Sequence, residues 1–272
     1  MTVAIAPAPL SFAHLAALDV GPPDLIDLVS ATGFASTSLR MLQTVPGSPA
    51  YPLDDSQLRR ATLERVKATG VGVFYIEVVS LSRALDVASL EAIFEAGASV
   101  GATRVLAAGD DPDFAIVADK LAAVCALGRQ FNLAIDVEFM PFRAVRSLAD
   151  AVDVIRRADA ANAHVLVDAL HFYRSDSSLD QLRALDRGLL GTFQICDAVR
   201  VPPADLAYEA RNARLLPGHG ALDLSTLMAA LPVDLPIGVE VPMALSHPEL
   251  SPSERLALMA RATWDFLGRR PT

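Results

Sequence analysis

Short runs of β-branched and aliphatic residues recur eight times along this chain of 272 residues, and each is followed by a longer amphipathic stretch. Strands are expected over 3–9, 36–41, 71–79, 103–108, 133–139, 164–168, 192–196 and 237–241. Helices are expected over 23–33, 55–70, 87–101, 112–131, 147–161, 178–187, 222–231 and 252–268. Local start and stop signals agree with this reading. Asp54 or Asp55 stands at the start of the second helix, Gly70 follows its last turn, and Ser147 opens the fifth. Strands joined by helical crossovers run parallel, and apolar runs such as VGVFYIEVV (71–79) suit a sheet covered by helices. Eight such units favour closure over an open sheet. The expected fold is therefore α/β, a (β/α)8 TIM barrel forming a single domain over 1–272. No G-x-G-x-x-G follows any strand, which removes support for a dinucleotide-binding fold.

Apolar residues make up 52% of the chain, ample for one large core. The formal net charge of −9 argues against a nucleic-acid partner, which would require a basic face to neutralise phosphates. Two cysteines far apart in the chain, Cys125 and Cys196, argue against a disulfide framework and fit a reducing cytoplasm. The apolar first ten residues lack a basic flank and are too short to span a bilayer, so no membrane partner is expected.

In a barrel of this kind, chemistry sits where the strands end. The fifth strand ends in Glu138, the sixth in Asp168 and the eighth in Glu240, while the seventh carries Gln194. A single acid at a strand end is more often a helix cap or an ion-pair partner. Four oxygen-bearing side chains on consecutive strands point instead to one shared site. Three carboxylates side by side require a compensating cation. Oxygen ligands suit Mg2+ or Mn2+, with Co2+ or Zn2+ as further candidates. Glu77 and Arg40, at the ends of the third and second strands, should also face the mouth. Each could bind substrate, and an ion pair between structural partners is the default for both. Cys196 is expected to point away from the mouth.

The stretches VEFMPF (137–142), VLVDALHFYRS (165–175), FQICDA (193–198), LLPGHGALDL (215–224) and IGVEVP (237–242) resemble the xylose-isomerase-like barrel superfamily, in its sugar isomerase and epimerase branch. The resemblance is specific in the second half of the chain. It implies that Glu138, Asp168, Gln194 and Glu240 hold one divalent metal ion. Many ketose epimerases of the superfamily carry His where this chain has Gln194. Hydroxypyruvate isomerase and the barrel-type 3-dehydroshikimate dehydratases carry Gln. The resemblance also sets His171, in D-x-x-H, beside the metal and the substrate. It puts an acid and an arginine after the seventh strand, here Asp197 and Arg200, and many relatives have Glu or Gln where this chain has His219. Arg174 pairs with the substrate or with Asp176.

The activity this implies is metal-dependent isomerisation or epimerisation of a small hydroxy-ketone, sugar or keto acid through an enediolate. Glu138 and Glu240 are the acid/base pair and His171 a third catalytic group. Arg200, His219, Arg174, Glu77 and Arg40 are the candidate contacts to a polyhydroxylated or carboxylated substrate. The long loop 197–220 carries Arg200, Arg211 and Arg214 and serves either the substrate or a contact between copies in a homo-oligomer. A dehydratase of the 3-dehydroshikimate or keto-inositol type, using the same site, is the alternative. A ligand-binding barrel without catalysis is the second alternative.

Overall fold

The computed structural model describes residues 9–44 and 47–268. Eight parallel strands close into one barrel in chain order. They are β1 (Leu10–Phe12), β2 (Ser36–Arg40), β3 (Gly72–Leu81), β4 (Arg104–Gly109), β5 (Ala134–Glu138), β6 (Ala163–Asp168), β7 (Leu190–Ile195) and β8 (Ile237–Val239). Closure is made by β8 against β1, with Leu10 opposite Ile237 and Phe12 opposite Val239. The helices are α1 (Pro22–Ser30), α2 (Ser56–Thr69), α3 (Glu91–Ser99), α4 (Phe114–Gln130), α5 (Leu148–Ala158), α6 (Ala169–Arg174), α7 (Leu179–Arg183), α8 (Leu206–Asn212), α9 (Leu224–Ala229) and α10 (Pro252–Leu267). The fold is the expected (β/α)8 barrel.

Capping chemistry sets several helix boundaries. Asp55 accepts from the Gln57 amide at the start of α2, and Gly70 ends that helix at φ 75°. Ser147 and Asp150 form a reciprocal capping box at α5, and Ser251 and Glu254 do the same at α10. Some expectations shift. Of the strand expected over 3–9, residues 3–8 lie outside the described residues, and β1 follows it at Leu10–Phe12. The helix expected over 178–187 contracts to α7. Two short helices, α6 and α8, occupy segments read as loop.

Strand side chains alternate between two environments. Val105, Ala107, Ile135, Val137, Val165, Val167, Phe193, Ile195, Ile237 and Val239 join one apolar core with residues of the surrounding helices. The intervening positions form a separate set. Tyr75, Leu106 and Leu166 make a small apolar cluster of their own. One step nearer the strand starts, Asp136 takes bonds from Arg104 Nε at 2.7 Å, the Tyr75 hydroxyl at 2.9 Å and Thr192 Oγ1 at 3.0 Å. Arg104 Nη2 closes the fork on the other Asp136 oxygen at 2.5 Å. The same alternation carried toward the strand ends brings up Glu138, Asp168 and Gln194. Among the described residues no helix is long and apolar enough to cross a membrane.

Gly191 is the residue that leaves room for the buried Arg104–Asp136 pair, since an added Cβ would collide with Asp136 and Arg104 side-chain atoms. Gly191→Ala should therefore lower folding stability by about 1–3 kcal/mol, the usual cost of overfilling a packed interior, as read by denaturant unfolding.

Candidate active site

Register places the site. Asp168, the last residue of β6, lies opposite Gln194 of β7, and Gln194 lies opposite Gly238, two residues before Glu240. Glu138 closes β5. All four side chains are buried. Carboxylate oxygens of Glu138 and Asp168 and a ring nitrogen of His171 come within 4.8 Å of one another. His171 reaches this place because Asp168 caps α6, accepting from the His171 amide at 2.9 Å. Its ring nitrogen Nε2 then lies 3.7 Å from Glu138 Oε1. Glu240 joins from the other side, where Gln194 Nε2 donates to Glu240 Oε1 at 3.4 Å.

The centre of this group is held by an arginine. Arg214 Nη1 donates to Asp168 Oδ2 at 2.6 Å, and its Nη2 lies 2.9 Å from Glu240 Oε2. Its Nη1 also contacts Cys196 Sγ at 3.2 Å, and its Nε donates to the Ala210 carbonyl at 2.8 Å. Burial works against the charge on Arg214, but Asp168, Cys196 and Glu240 more than offset it and keep its pKa above the ordinary arginine range. Burial, then the charges of Glu240 and Asp168, push the Glu138 carboxyl well up. Burial raises Glu240 to about 7 against the pull of Arg214. Burial also opposes ionisation of Asp168, yet Arg214 and His171 hold it below its usual range. His171 is pushed by burial down to about 4.

A cavity of about 480 Å3 opens onto this group. Its polar floor includes Glu138, His171, Arg214, Glu240 and Arg40, and its walls include Leu18, Val78, Leu106, Met140, Phe142 and Leu245. Arg143 and Arg211 line it as well. Arg211 lies over the Phe142 ring at 5.8 Å, and Arg143 pairs with Asp110 at 2.7 Å.

The residues fit a divalent cation. Glu138 Oε1 and Gln194 Oε1 are buried without a hydrogen-bond partner among the described residues, and a buried oxygen of that kind is costly unless something is bound to it. With all three carboxylates ionised, the one guanidinium leaves two negative charges in excess, the charge of one divalent ion.

The family model described as xylose isomerase-like TIM barrel matches residues 26–262. The chain belongs to this family. Inosose isomerase of Bacillus licheniformis is 26% identical over 156 residues, which are 56% of this chain and 55% of that protein, so the match spans about half of the relative's length. The crystal structure of the IolI protein with a bound zinc atom superposes with a TM-score of 0.80 at 18% identity, covering 96% of this chain and 98% of that one. The probable 3-DHS dehydratase AsbF from Bacillus anthracis gives 0.73 at 13% identity, covering 94% and 98%. At such identities the structural likeness speaks to the fold alone.

The xylose isomerase-like barrel brings only some of the expected substrate contacts to the cavity. Arg40 lines it while paired with Glu77 at 2.9 Å, in a pair that is buried on both sides. Arg200 and His219 are exposed and stand outside the cavity lining. The reason lies in the loop. The carboxylate of Asp197 accepts backbone N–H groups from Ala198, Gly218, Gly220 and Leu222. The turn of Pro217–Gly220 thus wraps Asp197 with its backbone and leaves the His219 side chain outside. Arg174 is taken by buried Glu209, at 2.7 Å, rather than by Asp176 or the cavity. Cys196 faces the site, correcting the expectation that it points away. Residues two apart on a strand share a face, so Cys196 follows Gln194 inward. Burial raises its thiol to about 12, so it is no nucleophile. Sequence reasoning named Arg214 only as one of three arginines of the long loop and missed its place between Asp168 and Glu240. The signal for it was the surplus of buried acids, which called for a cation as well as a metal.

Two outcomes follow from these pairings. Arg174→Met leaves Glu209 buried and uncompensated, and should cost about 3–5 kcal/mol of stability in denaturant unfolding. The second concerns His14, which accepts from the Arg40 amide at Nδ1 and bonds the Val20 carbonyl at Nε2, both at 2.9 Å. These partners fix a neutral ring, and burial lowers its pKa from 6.5. A histidine depressed in the folded state stabilises above its unfolded pKa, and this is lost as pH falls below it. Stability should therefore drop below pH 6.5 by at most about 1.4 kcal/mol per pH unit from this group. Urea unfolding from pH 7.5 to 5 should show a shallower decline in His14→Gln than in the wild type.

Proposed function

We propose that the chain is a divalent-metal-dependent isomerase or epimerase of a small hydroxy-ketone, an inosose-like cyclic ketone being the substrate class favoured by the partial match to inosose isomerase. The observation that carries this reading is the placement of Glu138, at the end of β5, and Glu240, directly after β8, as two buried carboxylates lining one cavity. Glu138 and Asp168, which cluster with His171, would hold the ion together with Gln194 and Glu240, which adjoin them through the Gln194–Glu240 hydrogen bond and the Arg214 bridge. The ion, when bound, supplies Lewis acidity toward the carbonyl and neighbouring hydroxyl of the substrate.

The protein's own groups do the rest. One of Glu138 and Glu240 takes the proton from the hydroxyl-bearing carbon beside the carbonyl, and the electron pair moves onto the carbonyl oxygen. The other returns a proton to the opposite face of that same carbon (epimerisation), or to the former carbonyl carbon, in which case the neighbouring hydroxyl passes its proton to the former carbonyl oxygen and becomes the new carbonyl (isomerisation). Burial displaces both carboxyls upward, Glu240 to about 7, which brings them toward the range where a carboxyl can serve as acid as well as base. His171, kept neutral, hydrogen-bonds rather than carries charge. The walls are largely apolar, and Arg143, Arg211 and Arg40 among the lining residues offer donors to hydroxyl or carboxylate groups.

The test is incubation of Mn2+-loaded protein with an inosose in deuterated water, followed by NMR. Deuterium at the carbon beside the carbonyl, in an isomeric product, is the expected result. An unsaturated ketone with release of water would mark a dehydratase. Absence of both exchange and product across a panel of cyclic and open-chain ketoses would sink the reading. Glu240→Gln keeps an oxygen donor but loses the titratable group, so turnover should fall at least about 100-fold while Mn2+ still binds by calorimetry.

A further inference from the structure

The geometry points to Arg214 as a built-in counter-cation. It is a positioning residue that holds Asp168 and Glu240 in place when no metal is bound, and it competes with the ion for their charge. The second half of this statement rests on the metal reading above. The first half does not.

Arg214 is one of the least exposed charged residues of the chain, with its side chain 2% accessible. Its guanidinium is pinned on every arm: by Ala210 at Nε, by Asp168 and Cys196 at Nη1, and by Glu240 at Nη2. The backbone that delivers it is equally fixed. Asp197 and Leu215 form a two-bond antiparallel bridge, N to O at 2.8 Å and 2.7 Å, so the residue preceding Leu215 is set against the end of β7. Asp168 gives one oxygen to Arg214 and the other to the His171 amide. Glu240 gives one to Arg214 and the other to Gln194. Glu138 receives nothing from this arginine in hydrogen bonding, and its free Oε1 remains toward His171. The guanidinium therefore organises two of the four proposed ligands and leaves oxygens of Glu138 and Gln194 for a ligand. A planar fork suits this bridging role, and lysine could supply the charge but not both bonds.

The test compares wild type with Arg214→Gln and Arg214→Lys, and adds Glu240→Gln in the Arg214→Gln background. Thermal unfolding of chelator-treated protein comes first, then titration with Mn2+ by calorimetry. Chelator-treated Arg214→Gln should melt about 10 °C below wild type, because two buried acids lose their cation. Arg214→Lys should fall between them. Glu240→Gln should return at least half of the loss in the double variant, since it removes one of the uncompensated charges. Mn2+ should bind Arg214→Gln at least about tenfold more tightly than wild type, a competing positive charge having gone. If Arg214→Gln melts within about 2 °C of wild type under chelation, the assignment is wrong. It is equally wrong if the added Glu240→Gln recovers nothing, since the loss would then be one of packing. Should Arg214→Gln prove insoluble, a soluble double variant supports the assignment and an insoluble one overturns it. Absence of Mn2+ binding by the wild type would remove the metal reading, and the chelated melts would still decide the role of Arg214.

Discussion

Burying an ionised carboxylate costs several kcal/mol unless a cation or donors accompany it, and this barrel buries Glu138, Asp168 and Glu240 at one end. Much of the architecture at that end answers this cost. Arg214 is brought in from a loop, His171 is turned inward by the Asp168 cap, and Gln194 is set between β6 and β8 by register. The answer is partial. At this site, among the described residues, Glu138 Oε1 and Gln194 Oε1 remain unpartnered, and a bound ligand would supply the missing bonds.

The loop after β7 illustrates how a motif can be read for the wrong atoms. LLPGHGALDL draws the eye to His219, flanked by glycines. In the fold the glycines matter for their backbones. Gly220 has no room for a Cβ beside Asp197, and Gly218 takes φ +80°, so the chain can curl around the Asp197 carboxylate and present its amides to it. That curl, with the bridge to Leu215, aims Arg214 at the acids. The turn acts on the site at one remove, through a residue outside the turn itself.

Strands and their ends were legible because a two-residue period leaves a direct trace in residue order. Glu138, Asp168 and Glu240 follow from asking which acid stands at the end of an apolar run, and Gln194 is the polar residue that the seventh run carries. Arg200 shows where spacing stops being informative. It stands six residues past Gln194, yet the chain turns outward through exposed Val199 and Val201. Arg214 lies fourteen residues further on and comes back only because Asp197 pairs with Leu215, a contact with no local signature. Arg174 was hidden in the same way. Its partner Glu209 sits on α8, a short helix whose apolar pattern is too brief to announce itself.

The barrel interior holds two polar layers, and their difference separates structure from chemistry. In the lower layer each oxygen of Asp136 is engaged, by Arg104, Tyr75 and Thr192, and the charges of Arg104 and Asp136 cancel. A network satisfied in this way is a rigid plug that gains little from binding anything else. The upper layer repeats the ingredients, an arginine with carboxylates at the strand ends, but in a ratio of one to three and with the Glu138 and Gln194 oxygens unpartnered beside a cavity that Glu138 and Glu240 line. The two layers meet on β5, through Asp136 and Glu138, and on β7, through Thr192 and Gln194, so strand geometry is shared between them. What sets the upper layer apart is an imbalance of charge and donors, and that imbalance is the physical ground for assigning the chemistry to it.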